Sequence, residues 1–81
     1  MLTNHTKEIE NKLIEFIINN IDTNEIELTY SQMCIERCNL HSANYRLYTK
    51  IDDLVEEFCI DNEIENDFDT EDVFDELFDN V

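Results

Sequence analysis

Residues 51–81 read IDDLVEEFCIDNEIENDFDTEDVFDELFDNV, a stretch that holds fourteen acidic residues and no basic one. Its last apolar residues nevertheless recur at i, i+3, i+4 and i+7: Phe74, Leu77, Phe78 and Val81. This spacing places them on one face of a helix, which we expect to begin at Asp69 or Thr70. The stretch therefore predicts a folded, amphipathic helix with a strongly acidic solvent face.

The charge of the whole chain is distributed unevenly. The 81 residues include 21 acidic and 5 basic ones, a formal net charge of −16. Residues 1–28 carry six acids and two bases, and residues 29–50 carry one acid and three bases, so the net charges are −4, +2 and −14 along the chain. Crowding fourteen like charges opposes compaction. The asymmetry is most easily explained by a basic binding partner.

Upstream of this stretch, helical spacing predicts a first helix near residues 4–21, capped by Asn4 or Thr3. Its apolar stripe comprises Ile9, Leu13, Phe16, Ile17 and Ile21. A turn is expected at residues 22–24, where an asparagine stands in for glycine. The alternation Ile26-Glu27-Leu28 favours a short extended piece.

Two further helices are predicted in the middle of the chain. One lies near residues 31–38, with Thr29 or Ser31 as its cap and Met33, Cys34 and Cys38 facing inward. The other runs from about Ser42 to Ile60, with a buried face made of Leu47, Ile51, Leu54, Val55 and Phe58. A short helix, a turn at Asn39 and a longer helix follow the layout of a helix-turn-helix.

The fold class expected from these patterns is all-α: one small domain over residues 1–81, a bundle of three to four helices. Its middle resembles a helix-turn-helix, its C-terminal helix is acidic, and residues 61–69 form a mobile connection. A chain of this length makes one domain and buries only about 60–65% of its unfolded surface. Little room remains for an enclosed substrate cavity.

Composition excludes several classes of function. The chain has no glycine, so it cannot form a P-loop, a dinucleotide fingerprint or a nucleophile elbow. No serine or cysteine is paired with a histidine in a nucleophile–base pattern, and no enzymatic activity is expected. The first residues lack the basic and apolar regions of a signal peptide, no apolar run has the length of a membrane span, and three cysteines cannot pair completely, so a reduced, cytoplasmic protein is expected.

Two segments have residue types that bind metal ions. Thiolate and imidazole groups of Cys34, Cys38, His41 and Cys59 are zinc donors, but an i, i+4 cysteine pair along one helix is not the usual zinc spacing. Residues 61–72 place oxygen donors as in a degenerate EF-hand loop, with Asn66 at the glycine position. We expect core cysteines and a solvated acidic loop instead, with no cofactor.

In size, charge, lack of catalytic motifs and crowding of carboxylates on helices, the chain resembles the DNA-mimic inhibitors of phages and mobile elements, the anti-CRISPR and anti-restriction class. The resemblance implies a protein that occupies the nucleic-acid-binding site of a basic host nuclease or repressor. It implies no direct contact with nucleic acid or membrane, and a monomer or homodimer. The resemblance carries over no particular residue; from the density of charge alone, we expect the partner-binding residues to be the acids of the last segment: Asp52, Asp53, Glu56, Glu57, Asp61, Glu63, Glu65, Asp67, Asp69, Glu71, Asp72, Asp75, Glu76 and Asp79.

Two alternative functions remain open on the sequence. The first is a regulatory module that contacts transcription machinery through its acidic–aromatic C-terminus, where Phe74 and Phe78 would dock into a groove. The second is a helix-turn-helix DNA binder, with Arg46 and Lys50 on phosphates and an autoinhibitory acidic tail. Repulsion of the duplex by the −14 segment argues against the second.

If repulsion between carboxylates is the main liability of the fold, salt will stabilise it. We expect the melting temperature to rise between 0.1 M and 1 M NaCl, where the Debye length falls from about 10 Å to about 3 Å. Thermal unfolding followed by circular dichroism measures this. A flat or falling curve would show that the acids are internally paired.

Overall fold

A computed structural model of the chain describes residues 6–80, which contain helices and no strand. The five helices are α1 (Lys7–Ile18), α2 (Thr23–Glu36), α3 (Leu40–Ala43), α4 (Tyr45–Asp61) and α5 (Thr70–Asp79). The radius of gyration is 12.1 Å, close to the value of about 12 Å expected for one compact domain of this length. The predicted all-α bundle is confirmed.

Each helix begins at a side chain that accepts a hydrogen bond from a backbone N–H of its first turn. Without glycine or proline in the chain, these polar caps mark where the helices start. Capping is typically worth about 0.5–2 kcal/mol per helix, which matters in a domain of marginal stability. The caps are Thr6, Asp22, Asn39, Asn44 and Asp69.

The first two helices differ from their predicted bounds. Helix α1 is capped by Thr6 and ends at Ile18 instead of reaching residue 21; the alternative caps Asn4 and Thr3 lie outside the described residues. The predicted turn at 22–24 is the start of α2, because the Asp22 side chain caps that helix. The extended piece predicted at 26–28 is wrong, since these residues belong to α2.

The predicted helix from Ser42 to Ile60 is two helices, which raises the count from four to five. Asn44 separates α3 from α4: its φ of −153° and ψ of 82° interrupt the helical path, and its side-chain oxygen caps α4 by accepting from the Leu47 N–H. The Asn44 side-chain amide also donates to the Thr29 hydroxyl at 3.1 Å. This bond holds the corner between α3 and α4 against α2.

Two non-glycine residues take the left-handed conformation that glycine usually supplies. Arg37 (φ 55°) ends α2, and Glu63 (φ 54°) follows the end of α4. After Arg37, the Cys38 N–H donates to the Met33 carbonyl. After Glu63, the Ile64 N–H donates to the Cys59 carbonyl. These bonds satisfy helix-end carbonyls and offset the steric cost of the left-handed residues.

Helix α5 lies at the centre of the bundle and contacts α1, α2, α3 and α4. Its Val73, Phe74 and Leu77 side chains are fully buried.

Most of the predicted buried face of α4 is confirmed, although Leu54 is only partly buried. Val81, predicted to extend the α5 stripe, lies outside the described residues. The core as a whole comprises Leu13, Ile14, Ile17, Ile26, Leu40, Leu47, Ile51, Val55, Phe58, Cys59, Val73, Phe74 and Leu77.

The segment between α4 and α5 is irregular from residue 62 to residue 69. Two of its side chains, Ile64 and Phe68, are partly buried and pack against the core. These contacts anchor the connection to the bundle at two points. Its acidic residues lie between the anchors and around them.

One carboxylate joins α5 to α3. Glu71 Oε1 accepts from the Leu40 N–H at 2.9 Å, and Glu71 Oε2 accepts from the His41 N–H at 3.2 Å. Both N–H groups belong to the first turn of α3, which has no carbonyl partners for them within the helix. A four-residue helix is unstable alone, so α3 depends on this contact and on the burial of Leu40.

Glu71→Ala leaves two backbone N–H groups of α3 without their acceptor. We expect a loss of about 1–3 kcal/mol in the free energy of unfolding, measured by urea denaturation. The matched control is Glu76→Ala, which removes a carboxylate from the same helix without breaking that bond and has a neutral or slightly stabilising effect. Equal losses in the two variants would contradict a structural role for Glu71.

Candidate functional site

The fourteen candidate acids lie on α4, on the connection that follows it and on α5. Most are exposed; Glu71, Asp72 and Glu76 are half-buried. They do not form one continuous surface, because α4 and α5 pack together through their apolar faces. The acids on the outer faces of the two helices therefore point in different directions.

Several of the candidate acids are hydrogen-bonded within the fold, among them Glu71, Asp52 and Asp69. Glu71 accepts hydrogen bonds from the backbone N–H groups of Leu40 and His41 in α3. Asp52 Oδ1 accepts from the Thr70 hydroxyl at 3.0 Å, which joins α4 to the start of α5. Asp69 caps α5 by accepting from the Glu71 N–H at 2.9 Å. These carboxylates stabilise the scaffold, so a partner could use them only by competing with those bonds.

The outer face of α5 carries four acids, which we call the α5 strip: Asp72, Asp75, Glu76 and Asp79. Helix α5 is flanked by α1 and α2, and within the strip Asp72 and Glu76 are half-buried whereas Asp75 and Asp79 are exposed. Burial raises the pKa of Asp75 above its ordinary value, and the negative charges of Asp72, Glu71 and Asp79 raise it further. The charged form of Asp75 is therefore less favourable in the folded protein than in water.

The α5 strip borders an aromatic contact with α2. The rings of Tyr30 and Phe78 are stacked, with centroids 3.8 Å apart and an interplanar angle of 11°. The pKa of Tyr30 is raised above its ordinary value, first by the neighbouring Cys34 and then by burial. The Phe78 ring therefore forms part of the contact between α2 and α5.

The outer face of α4 carries the α4 strip: Asp53, Glu56, Glu57 and Asp61. All four side chains are exposed. The strip runs from Asp53 to Asp61, eight residue steps that span about 12 Å of helix axis. One strand of B-DNA carries a phosphate about every 3.4 Å, or three to four charges over the same length. The α4 strip thus carries about as many charges per length of axis as a single phosphate backbone.

The connection after α4 extends this charge. Glu63, Glu65 and Asp67 are exposed on residues 62–69, close in sequence to Asp61 at the end of the α4 strip. Ion pairs do not neutralise the α4 strip: within residues 6–80 the salt bridges are Lys12–Glu8 at 3.3 Å and Arg46–Glu25 at 3.8 Å. The strip therefore presents its carboxylates to solvent and to any basic partner.

The residues considered as metal ligands are not brought together. Cys59 is buried in the core, where burial raises the pKa of its thiol and disfavours the metal-binding thiolate, whereas Cys34 is exposed on α2. The expectation that Cys34 faces inward is wrong. In the EF-hand-like stretch 61–72, Asp69 caps α5 and Glu71 contacts α3. Residues 6–80 contain no group of three or more histidine, cysteine, aspartate or glutamate residues able to hold a metal ion.

The basic middle segment differs from a standard helix-turn-helix. Helix α3, which follows the turn at residues 37–39, has only four residues. Arg46 and Lys50 lie exposed on the first turns of α4, and Arg46 is paired with Glu25. The basic residues thus share α4 with the acidic strip, a few residues away, which would repel a duplex.

A surface groove of about 390 Å³ lies between α1 and the end of α5. It is lined by Asn11, Ile14, Glu15, Ile18 and Asn80. Glu15 is the single ionisable side chain of this lining. The groove therefore supplies no paired carboxylates and no nucleophile–base pair for acid–base or covalent chemistry.

No protein-family model, curated protein or solved structure matches this chain. Across the described residues, none of the helices has the length and apolar character needed to cross a membrane.

The raised pKa of Asp75 predicts how stability depends on pH. A carboxyl whose pKa is higher in the folded state costs nothing while it is protonated, and it destabilises the fold as pH rises through its folded pKa. Asp75→Asn should therefore be more stable than the parent at pH 7, by less than about 1 kcal/mol because solvent reaches the group. The difference should shrink as pH falls from the folded pKa of Asp75 towards the ordinary value of about 4, and it should vanish below that pH.

Urea denaturation at several pH values measures this difference. Glu57→Gln serves as the control, since it neutralises an exposed carboxylate of α4 that lies outside the α5 strip. A destabilised Asp75→Asn variant at pH 7 would contradict the assignment of Asp75 as a desolvated, repelled carboxylate.

Proposed function

We propose that this protein is a stoichiometric inhibitor that occupies the nucleic-acid-binding channel of a basic host protein, such as a defence nuclease or a repressor, in the host cytoplasm. The observation that carries the proposal is the α4 strip: four exposed carboxylates with about the charge per length of one phosphate strand, without ion-pair partners among the described residues. The acids of residues 62–69 lengthen this surface.

Physical reasons favour such a surface as a ligand for a nucleic-acid channel. A channel lined with lysine and arginine attracts a net charge of −16 over long range and speeds encounter. Four carboxylates on a helix are pre-organised, so little conformational freedom is lost on binding. The protein needs no catalytic group for this function, because occupying the channel excludes the natural ligand.

The α4 strip is a better candidate for the primary contact than the α5 strip. Its four side chains are exposed, whereas Asp72 and Glu76 of the α5 strip are half-buried. A partner can approach α4 without displacing α1 or α2. The α5 strip adds to the long-range attraction, since Coulomb steering depends on total charge as well as on contacts.

The structure offers less support for the two alternatives. A groove-docking module would use Phe74 and Phe78, but Phe74 is fully buried and Phe78 is stacked on Tyr30. Exposing either ring would disrupt the bundle. A DNA-binding helix-turn-helix would need a recognition helix longer than the four residues of α3.

If target binding depends on the α4 strip, variants that neutralise its carboxylates should lose affinity for the target. Changing Asp53, Glu56, Glu57 and Asp61 together to their amides should weaken target binding by two or more orders of magnitude and reduce its salt dependence. The fold should survive, because these side chains are exposed and their neutralisation relieves repulsion. Each single change should cost about 1 kcal/mol or less.

The experiment immobilises the full chain, captures proteins from a bacterial lysate and elutes with duplex DNA. A parallel column receives buffer of equal ionic strength without DNA. A target of the proposed kind is released by DNA and not by the matched buffer, and its affinity for each variant is then measured by titration calorimetry at several salt concentrations.

The matched control changes Glu8, Glu10 and Glu15 of α1, and a second arm changes the α5 strip. We expect the α1 amides to have the smallest effect and the α4 amides the largest. Retained proteins that stay bound in duplex DNA, or an α1 variant that loses binding while the α4 variant keeps it, would refute the proposal.

A further inference from the structure

Helix α2 has an outer face that nothing in the described fold covers. Leu28 is 71% exposed and Ile35 is 82% exposed. They are seven residues apart, so they lie on the same side of the helix, about 10.5 Å apart along its axis. The exposed Asn24, Ser31 and Gln32 share that side. These five residues are called the α2 face.

The α2 face contains no charged side chain, although the chain carries 32% charged residues and a net charge of −16. The glutamates of α2 lie beside this face, and one of them, Glu25, is paired with Arg46. A basic target would find no carboxylate on this face to bind, whereas the α4 strip offers four. The α2 face is therefore suited to a different partner.

We propose that the α2 face is the contact between two copies of this chain. Two molecules of charge −16 repel each other, and the repulsion is least where uncharged faces meet. The face is also self-complementary. In an antiparallel, two-fold arrangement, Leu28 packs against Ile35 of the second copy and the reverse pair forms at the same time. Ser31, near the midpoint, is small enough to let the helices approach closely.

The dimer is weak and reversible. The face spans about 17 Å of one helix, and a single helix crossing buries less area than the about 1,200–2,000 Å² of a standard stable interface. Salt screens the repulsion between the copies, so the dimer strengthens as ionic strength rises. Binding of a basic target weakens under the same change. Because salt changes the affinity of the dimer and the affinity for the target in opposite directions, the two proposals can be tested separately.

Sedimentation velocity of the full chain tests the proposal over a concentration series at 0.1 M and 1 M NaCl. We expect a concentration-dependent dimer whose dissociation constant falls as salt increases. Ile35→Glu should raise that constant at least tenfold. The matched control is Ile60→Glu, which places the same charge at a 69% exposed isoleucine of α4 and should leave the dimer intact. Both sites are exposed, so neither variant should unfold.

Cross-linking tests the two-fold geometry. In a chain with Cys34→Ser and Cys38→Ser, a Ser31→Cys thiol should form a disulfide with its counterpart when diamide takes up the two electrons and two protons. Ser42→Cys on α3 is the exposed control and should cross-link far less. A chain that stays monomeric at every concentration in 1 M NaCl would overturn the proposal. So would equal effects of the two isoleucine variants, equal cross-linking at residues 31 and 42, or loss of target capture in Ile35→Glu.

Discussion

The burial of one face of α5 is the contact on which the rest of the bundle depends. Val73, Phe74 and Leu77 are fully buried, and α5 contacts every other helix. The same helix carries the acids of the α5 strip on its other side. Burying three such side chains contributes about 1.5–3 kcal/mol each, whereas repulsion between solvated carboxylates costs less than about 1 kcal/mol per pair. Burial therefore prevails, and the crowded charge shows as the raised pKa of Asp75.

In this chain, polar side chains start the helices and take the left-handed positions at helix ends. Without glycine and proline, helix starts are marked by threonine, asparagine and aspartate caps, and two left-handed positions are taken by Arg37 and Glu63. Glu71 and Asp52 use their charge to hold helices together. The acidic residues thus serve two purposes. Some are hydrogen-bonded parts of the scaffold, and the four carboxylates of the α4 strip have no ion-pair partner among the described residues.

The proposed inhibitor and the proposed dimer place opposite electrostatic demands on one small molecule. A nucleic-acid channel would bind the surface with the greatest density of carboxylates, whereas a second copy would bind the surface that has none. The α4 strip and the α2 face meet these demands on different helices. A dimer formed through α2 would leave both α4 strips exposed and double the charge presented to a basic partner, so the two surfaces are compatible in one assembly.

Periodicity and charge counting predicted the all-α class, the start of α5, most of the buried faces of α4 and α5, and the acidity of the last segment, because each depends on residues close together in the chain. Helix α2 was missed in part because its exposed Leu28 and Ile35 weaken the amphipathic signal. Which acids hold helices together was decided only by the tertiary structure. Glu71 and the Leu40 N–H it binds are 31 residues apart, and no local spacing reports a hydrogen bond formed across that distance.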